Sequence, residues 1–293
     1  MFSYRHAFHA GNHADVLKHS TLIAIMRHLT LKDTALTVID THAGAGLYRL
    51  DGDYARTSGE ADQGISKLID VGTHSLPEIL QDYLELITAY NPEMAANPAA
   101  LPKVYPGSPF VVQRLLRPQD RLKLFELHPT DSKTLAAHVA QLGADRQIAV
   151  LREDGFGCIT QFLPPPSRRA LLLCDPSYEI KTDYTRVAGL VAEGLKRFAT
   201  GCYAVWHPII PRPEAHELPR RLRTLSKQAG KPWLHATLTV KSGKNATGLP
   251  ASGMFVINPP HTLQGALQAA LPRLVELLGQ DRNAAYTLDS AAH

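Results

Sequence analysis

Leu171-Leu172-Leu173-Cys174-Asp175-Pro176-Ser177-Tyr178 is an apolar run that ends in an acid, a proline and an aromatic residue. Such a run, bounded by a proline turn, has the pattern of a strand that feeds a loop at the rim of a covered sheet. Further runs rich in Val, Ile, Leu and aromatics fall at 35–40, 122–126, 148–151, 203–207, 234–240 and 254–258. Most alternate with stretches of helical period, such as 184–198 and 263–278. Strands separated by helices predict an α/β fold, a mostly parallel seven-stranded sheet with helices on both faces. The last two strands are joined by 241–253 without an evident helix, so they are expected to pair antiparallel at one edge.

About 80 residues separate the first two strands, far more than one crossover helix needs. The gap holds two helical segments, near Glu60–Asp70 and Leu76–Tyr90, and a Pro/Ala-rich stretch at 91–102. The expected organisation is an N-terminal segment with the first part of the core (1–47), an inserted small helical subdomain (48–105) and the remaining core (106–293). Insertions of this length commonly shape a ligand crevice.

The first strand runs into Asp40-Thr41-His42-Ala43-Gly44-Ala45-Gly46. A dinucleotide fingerprint needs a third Gly or Ala at position 49, where Arg49 stands, so a nicotinamide oxidoreductase is disfavoured. Glu126 ends the second strand, Asp154-Gly155 follows the third and Asp175 follows the fourth. Ligands of open parallel sheets bind outside the carboxyl ends of the strands, so these groups share one rim. S-adenosylmethionine needs parts in this order: a glycine turn (Gly44) beside its amino-acid moiety, a carboxylate (Glu126) for the ribose hydroxyls, and an acid (Asp154) near the adenine. Taken singly, each acid also reads as a helix cap.

The turn itself suits an exocyclic amine. Adenine N6 is a poor nucleophile because its lone pair is delocalised into the ring, and acceptors on both of its hydrogens push it towards a tetrahedral geometry. Asp175 and the carbonyl of Pro176 are two such acceptors, held at a defined angle because proline restricts itself and its predecessor. Tyr178 is expected to stack on the base, worth roughly 1–3 kcal/mol against the few needed to extrude a paired base. An ordinary strand-to-helix turn with a capping Asp reads the same way. A second copy, Asn258-Pro259-Pro260-His261, is expected to be a structural turn.

Three cysteines (Cys158, Cys174, Cys202) include no C-x-x-C pair, which argues against a disulfide framework and a thiolate zinc site. No Pro-Cys dipeptide is present, so the nucleophile of pyrimidine-carbon methylation is missing. No apolar run is long enough to span a bilayer and the N-terminus lacks a signal-peptide core, so a cytoplasmic protein is expected, with no membrane partner. The net charge of +4 is concentrated in 211–245, where Arg212, Arg220, Arg221, Arg223, Lys227, Lys231, Lys241 and Lys244 face two Glu. Arg5, Lys18, Arg27 and Lys32 add to it near the N-terminus. These residues are candidates for phosphate contacts, or a solvated helix face with a loop. His6, His9, His13 and His19 lack a metal-binding pattern such as H-E-x-x-H, and no metal is expected.

The chain resembles the RlmJ family, bacterial ribosomal RNA large subunit methyltransferases acting on adenine N6. The likeness covers nearly the whole chain. It rests on Tyr4-Arg5-His6, Phe8 to His19, Asp40 to Gly46, Tyr105-Pro106-Gly107-Ser108-Pro109, Glu126-Leu127-His128-Pro129, Asp154-Gly155-Phe156, Asp175 to Glu179 and Lys181-Thr182-Asp183-Tyr184. The resemblance implies a Rossmann-like class I methyltransferase core with a small helical insertion. It implies that His19, His42, Ser108, Glu126, Asp154 and Gly155 bind S-adenosylmethionine, leaving S-adenosylhomocysteine as product. Asp175 would be catalytic, Tyr4 would meet the RNA, and the substrate would be one adenine of 23S ribosomal RNA; from their charge, Arg5 and Lys18 are expected to join Tyr4 in RNA binding. A monomer is expected. Many relatives have Pro where this chain has Ser177, which makes the turn less rigid here. A DNA adenine-N6 methyltransferase and a non-catalytic RNA-binding or assembly protein on the same fold are the alternatives.

Overall fold

The computed structural model describes residues 6–97, 100–243 and 248–291. Its strands are β1 (Thr37–Asp40), β2 (Leu47–Arg49), β3 (Val104–Pro106), β4 (Arg121–Phe125), β5 (Ile148–Leu151), β6 (Ala170–Cys174), β7 (Cys202–Ile209), β8 (Trp233–Thr239), β9 (Ala251–Ile257) and β10 (Ala285–Ala291). Eight of them form one sheet in the order β10-β8-β9-β7-β6-β1-β4-β5, and β2 pairs with β3 in a separate ribbon. The run β5-β4-β1-β6-β7 is parallel throughout. β9 lies antiparallel between β7 and β8, and β10 is antiparallel to β8.

The central strand β6 is buried at every residue, as a parallel strand covered on both faces must be. Its side chains alternate between two cores. Leu171 and Leu173 pack with Val16, Leu17, Val111 and Leu267, whereas Leu172 and Cys174 pack with Val187, Val191, Leu218 and Leu222. Helices His13–Leu29, Ser108–Leu115 and Leu263–Leu278 thus cover one face, and Thr182–Arg197 and Pro213–Gln228 the other.

The expected count of seven strands is corrected to eight. β10 is mostly exposed and carries little apolar character, so it is held by its ladder with β8 rather than by a hydrophobic face. The antiparallel pair β8–β9 forms, but β10 rather than that pair makes the edge.

Helix His13–Leu29 is buried from His13 to Met26, wedged between the sheet and helix Glu78–Ala89. Its start is fixed by Asn12, whose side chain accepts from the amides of Ala14 and Asp15 at 2.9 and 3.0 Å. The β2–β3 ribbon pairs Leu47 with Pro106 and Tyr48 with Tyr105, which brings residues 47–49 and 104–106 together. Ile65, Leu68, Leu80 and Tyr83, which lie between β2 and β3 in the chain, join the same core as Val16 and Leu17. Gly64 is required there, because a Cβ would fall 2.0 Å from the Gly11 carbonyl oxygen.

The turn at Asn258 is structural. It lies at the far end of the antiparallel β9, where Nδ2 donates to the carbonyls of Ala199 and Gly201 at 2.9 and 2.7 Å, just before β7 begins.

Candidate active site

Parallel pairing of β1, β4, β5 and β6 places their carboxyl ends on one rim. There His42, Gly44, Ser108, Glu126, Asp154, Gly155, Asp175 and Pro176 line a single cavity. Gly44 has φ +61, a left-handed conformation that favours glycine, and its amide donates to Glu126 Oε2 at 2.8 Å. Glu126 Oε1 accepts from the His128 amide at 2.7 Å. Burial raises the Glu126 pKa while these two amides oppose the shift, so the carboxylate is held in place from both sides.

The loops after β1 and β5 approach closely. A Cβ on Gly155 would stand 1.9 Å from the Thr41 carbonyl oxygen, so only glycine fits. His42 Nδ1 is 2.7 Å from Thr41 Oγ1, its ring meets the Phe156 ring edge-on at 4.9 Å, and burial lowers its pKa to about 4. Ser108 donates to Asp40 Oδ2 at 2.6 Å. Burial pushes fully enclosed Asp40 up to about 6 despite that bond. Asp154 pairs with Arg186, whose guanidinium lies 4.0 Å over the Phe156 ring.

Not every expected residue reaches this cavity. His19 is completely buried and lines neither this cavity nor the one beside it. Its Nδ1 meets the hydroxyls of Tyr105 and Tyr83 at 2.9 and 3.2 Å, its Nε2 is without a hydrogen bond, and burial lowers its pKa to about 3. Tyr4 and Arg5 lie outside the described residues.

Two of the expected site residues, Lys18 and Tyr178, are buried. Lys18 is 5% exposed and held 2.8 Å from Asp15 Oδ1 and 2.6 Å from Asp175 Oδ2. Burial alone would discharge its ammonium, but the two carboxylates more than offset this and hold its pKa well above the usual value. Tyr178 lines the cavity beside the first but is only 2% exposed. It packs against Tyr184 and Trp206, its hydroxyl donates to the Trp206 carbonyl at 2.6 Å, and its backbone is left-handed at φ +55.

A second cavity lies beside the first, lined by residues including His9, Asn12, Glu60, Trp206, Pro208 and Arg212. Both are bordered by His6, Lys18, Asp175, Ser177 and Glu179. Asp175 therefore stands at the boundary between two chambers. Sequence reading missed Lys18 as the partner of Asp175 at this boundary, and Glu60 and Arg212 as lining of the second cavity. No local spacing signals a contact between elements so far apart in the chain.

The first cavity fits S-adenosylmethionine. Its acids Glu126, Asp131, Asp154, Asp175, Glu179 and Asp183 outnumber its cations Lys18 and Arg186, which suits a cofactor carrying a sulfonium and an ammonium. The same lining opposes a pyrophosphate. After Gly46 the chain enters β2 rather than a helix, so the helix N-terminus that a dinucleotide site uses is missing from this loop. Among the described residues no group of three His, Cys, Asp or Glu is arranged to hold a metal. His6, His9 and His13 instead meet Asp15, Glu60 and the Leu249 carbonyl, each at 3.0 Å.

The basic stretch divides. Arg220, Arg221 and Lys227 are exposed on helix Pro213–Gln228, while Arg223 stacks over Trp233 and pairs with Asp289. Lys244 lies outside the described residues. Among those described, no helix is long and apolar enough to cross a membrane.

Comparison with known proteins agrees with this geometry. A family model described as "Ribosomal RNA large subunit methyltransferase D, RlmJ" matches residues 33–290. Ribosomal RNA large subunit methyltransferase J of Escherichia coli K12 is 41% identical over 274 residues, covering 94% of this chain and 93% of its own. The protein of the same name from Haemophilus influenzae Rd is 38% identical over 292 residues, covering 99% and 98%. The crystal structure of protein LPL1258 from Legionella pneumophila superposes with a TM-score of 0.84 at 31% identity, covering 97% and 98%. With the fold, the rim of acids and the sequence in agreement over nearly the full length, the chain belongs to the RlmJ family of ribosomal RNA large subunit methyltransferases.

Proposed function

We propose that the protein transfers a methyl group from S-adenosylmethionine to the N6 amine of one adenine in 23S ribosomal RNA. The observation that carries this reading is the position of Asp175 on the boundary between an acidic chamber suited to the donor and a second chamber open to a base. His42, Gly44, Ser108, Glu126, Asp154 and Gly155 would hold the donor, with His19 behind them. When bound, the donor supplies an electrophilic methyl group. Asp175 and the Pro176 carbonyl accept the two N6 hydrogens and set the amine's direction. Lys18 engages Oδ2 of Asp175, which leaves Oδ1 for the amine. The residues act by position and by preset acceptors, so no covalent enzyme intermediate is required.

The second chamber takes the extruded base, with Tyr178 and Trp206 in its wall and Glu60 bringing the 48–105 segment to its edge. Exposed Arg220, Arg221 and Lys227, with Tyr4 and Arg5, are the residues proposed to meet RNA phosphates. The division at 48 and 105, a monomeric state and a cytoplasmic location belong to the same proposal. Three free, buried cysteines are consistent with that compartment.

The test is the variant Asp175→Ala with ribosomal RNA and tritiated donor. Methyl transfer should vanish while calorimetry shows donor affinity within about threefold of the parent. Full activity in that variant would remove the mechanism. Parallel assays on duplex DNA separate the RNA reading from a DNA methyltransferase, and the absence of donor binding by the parent would favour a non-catalytic RNA-binding protein.

A further inference from the structure

The loop that carries Asp175 is tied at three points, one each in β7, in helix Pro213–Gln228 and in the segment between them. The Tyr178 hydroxyl donates to the Trp206 carbonyl at 2.6 Å. Arg212 Nη1 donates to the Tyr178 carbonyl at 3.1 Å. Lys181 Nζ lies 3.6 Å from Glu214 Oε1. Between these ties Tyr178 holds φ +55, a left-handed conformation that a bulky side chain adopts only where its surroundings impose it.

Arg212 occupies a particular place in this arrangement. Its guanidinium binds the Tyr178 backbone, and the residue lines the second chamber together with Trp206, Pro208 and Ile210. Ser177 separates the two acceptor residues from Tyr178, and it lacks the ring that would stiffen the turn from within. Stiffness must therefore come from outside the turn.

We propose that Arg212 is a positioning residue for methyl transfer, bracing the Tyr178 carbonyl so that the Asp175 carboxylate and the Pro176 carbonyl keep their directions across the chamber boundary. This rests on the reading of those two oxygens as the N6 acceptors. Arg212 acts through the backbone of the turn and touches no reacting atom.

The experiment compares Arg212→Ala and Arg212→Lys with the parent protein in steady-state methylation of a ribosomal RNA substrate, with donor affinity from calorimetry. Misplacing reacting groups by about 1 Å costs on the order of a hundredfold, so kcat of Arg212→Ala should fall about tenfold to a hundredfold. KM for RNA and donor Kd should stay within about twofold to threefold. Arg212→Lys, which keeps a donor of similar reach, should retain more kcat than Arg212→Ala. If Arg212→Ala fails to fold, Arg212→Gln takes its place in the same comparison. Unchanged kcat with a raised, salt-sensitive KM would make Arg212 a phosphate contact and overturn the bracing role, as would an Arg212→Lys no better than Arg212→Ala. A parent protein that methylates no adenine overturns the underlying function and the bracing with it, whereas an active parent with an unaffected alanine variant overturns the bracing alone.

Discussion

Lys18 Nζ lies 2.6 Å from Asp175 Oδ2 across 157 positions of chain, joining the buried N-terminal helix to the turn after β6. The same ammonium is 2.8 Å from Asp15 Oδ1, and Asp15 Oδ2 accepts from the Gly11 amide at 2.9 Å and meets His6 Nε2 at 3.0 Å. The carboxylate at the chamber boundary is thereby anchored to the helix that packs beneath it.

Replacing Lys18 with Met should leave two carboxylates without their shared cation. Removing one partner of a buried pair costs about 3–5 kcal/mol, so denaturant unfolding should show a loss of that order together with lost methyl transfer. Adding Asp15→Asn should recover part of the stability and none of the activity. A Lys18→Met protein as stable as the parent would show that the cluster is not held by its charge balance.

Gly155→Ala drives a methyl group into the Thr41 carbonyl, whereas a Cβ on Gly157 meets nothing within 4 Å. Overpacking of this kind costs about 1–3 kcal/mol, and the shifted loops widen the donor cavity. Calorimetry should show donor affinity reduced by about tenfold or more in Gly155→Ala and near parent values in Gly157→Ala. Equal affinities in the two would contradict the close approach of the β1 and β5 loops.

Acid should destabilise the sheet through a buried pair. His207 and His235 face each other with Nε2 atoms 2.9 Å apart, and burial lowers their pKa values from 6.5 to about 3 and about 4. Their folded pKa values lie below the unfolded one, so the unfolded chain binds more protons. Stability is then complete above pH 6.5 and is lost as pH falls from there towards 4. Each such histidine contributes a slope of about 1.4 kcal/mol per pH unit near pH 5. His235→Gln, which cannot be protonated, should flatten the dependence by about that amount in urea titrations at pH 5 and 6. An unchanged slope would place the acid sensitivity elsewhere.

The parts visible in the sequence were those whose signal is local. Leu171 to Cys174 announce a buried strand by composition, and Glu126, Asp154 and Asp175 fall on one rim because parallel strands share a direction. Helix His13–Leu29 was obscured because His13, Asp15, Lys18 and His19 interrupt an otherwise apolar pattern, and their burial depends on partners in distant elements. β10 was missed for the opposite reason, since it buries too little to leave a pattern. The inward turn of Tyr178 depends on the Trp206 carbonyl in β7 and on Arg212, neither of which its neighbours in sequence reveal.

The most direct test of the central claim is mass spectrometry of 23S ribosomal RNA from cells lacking this gene, complemented with the parent protein or with Asp175→Ala. N6-methyladenosine at one adenine should be absent from the deletion strain, restored by the parent and not restored by the variant. An unchanged methyladenosine content in the deletion strain, or restoration by Asp175→Ala, would contradict the account.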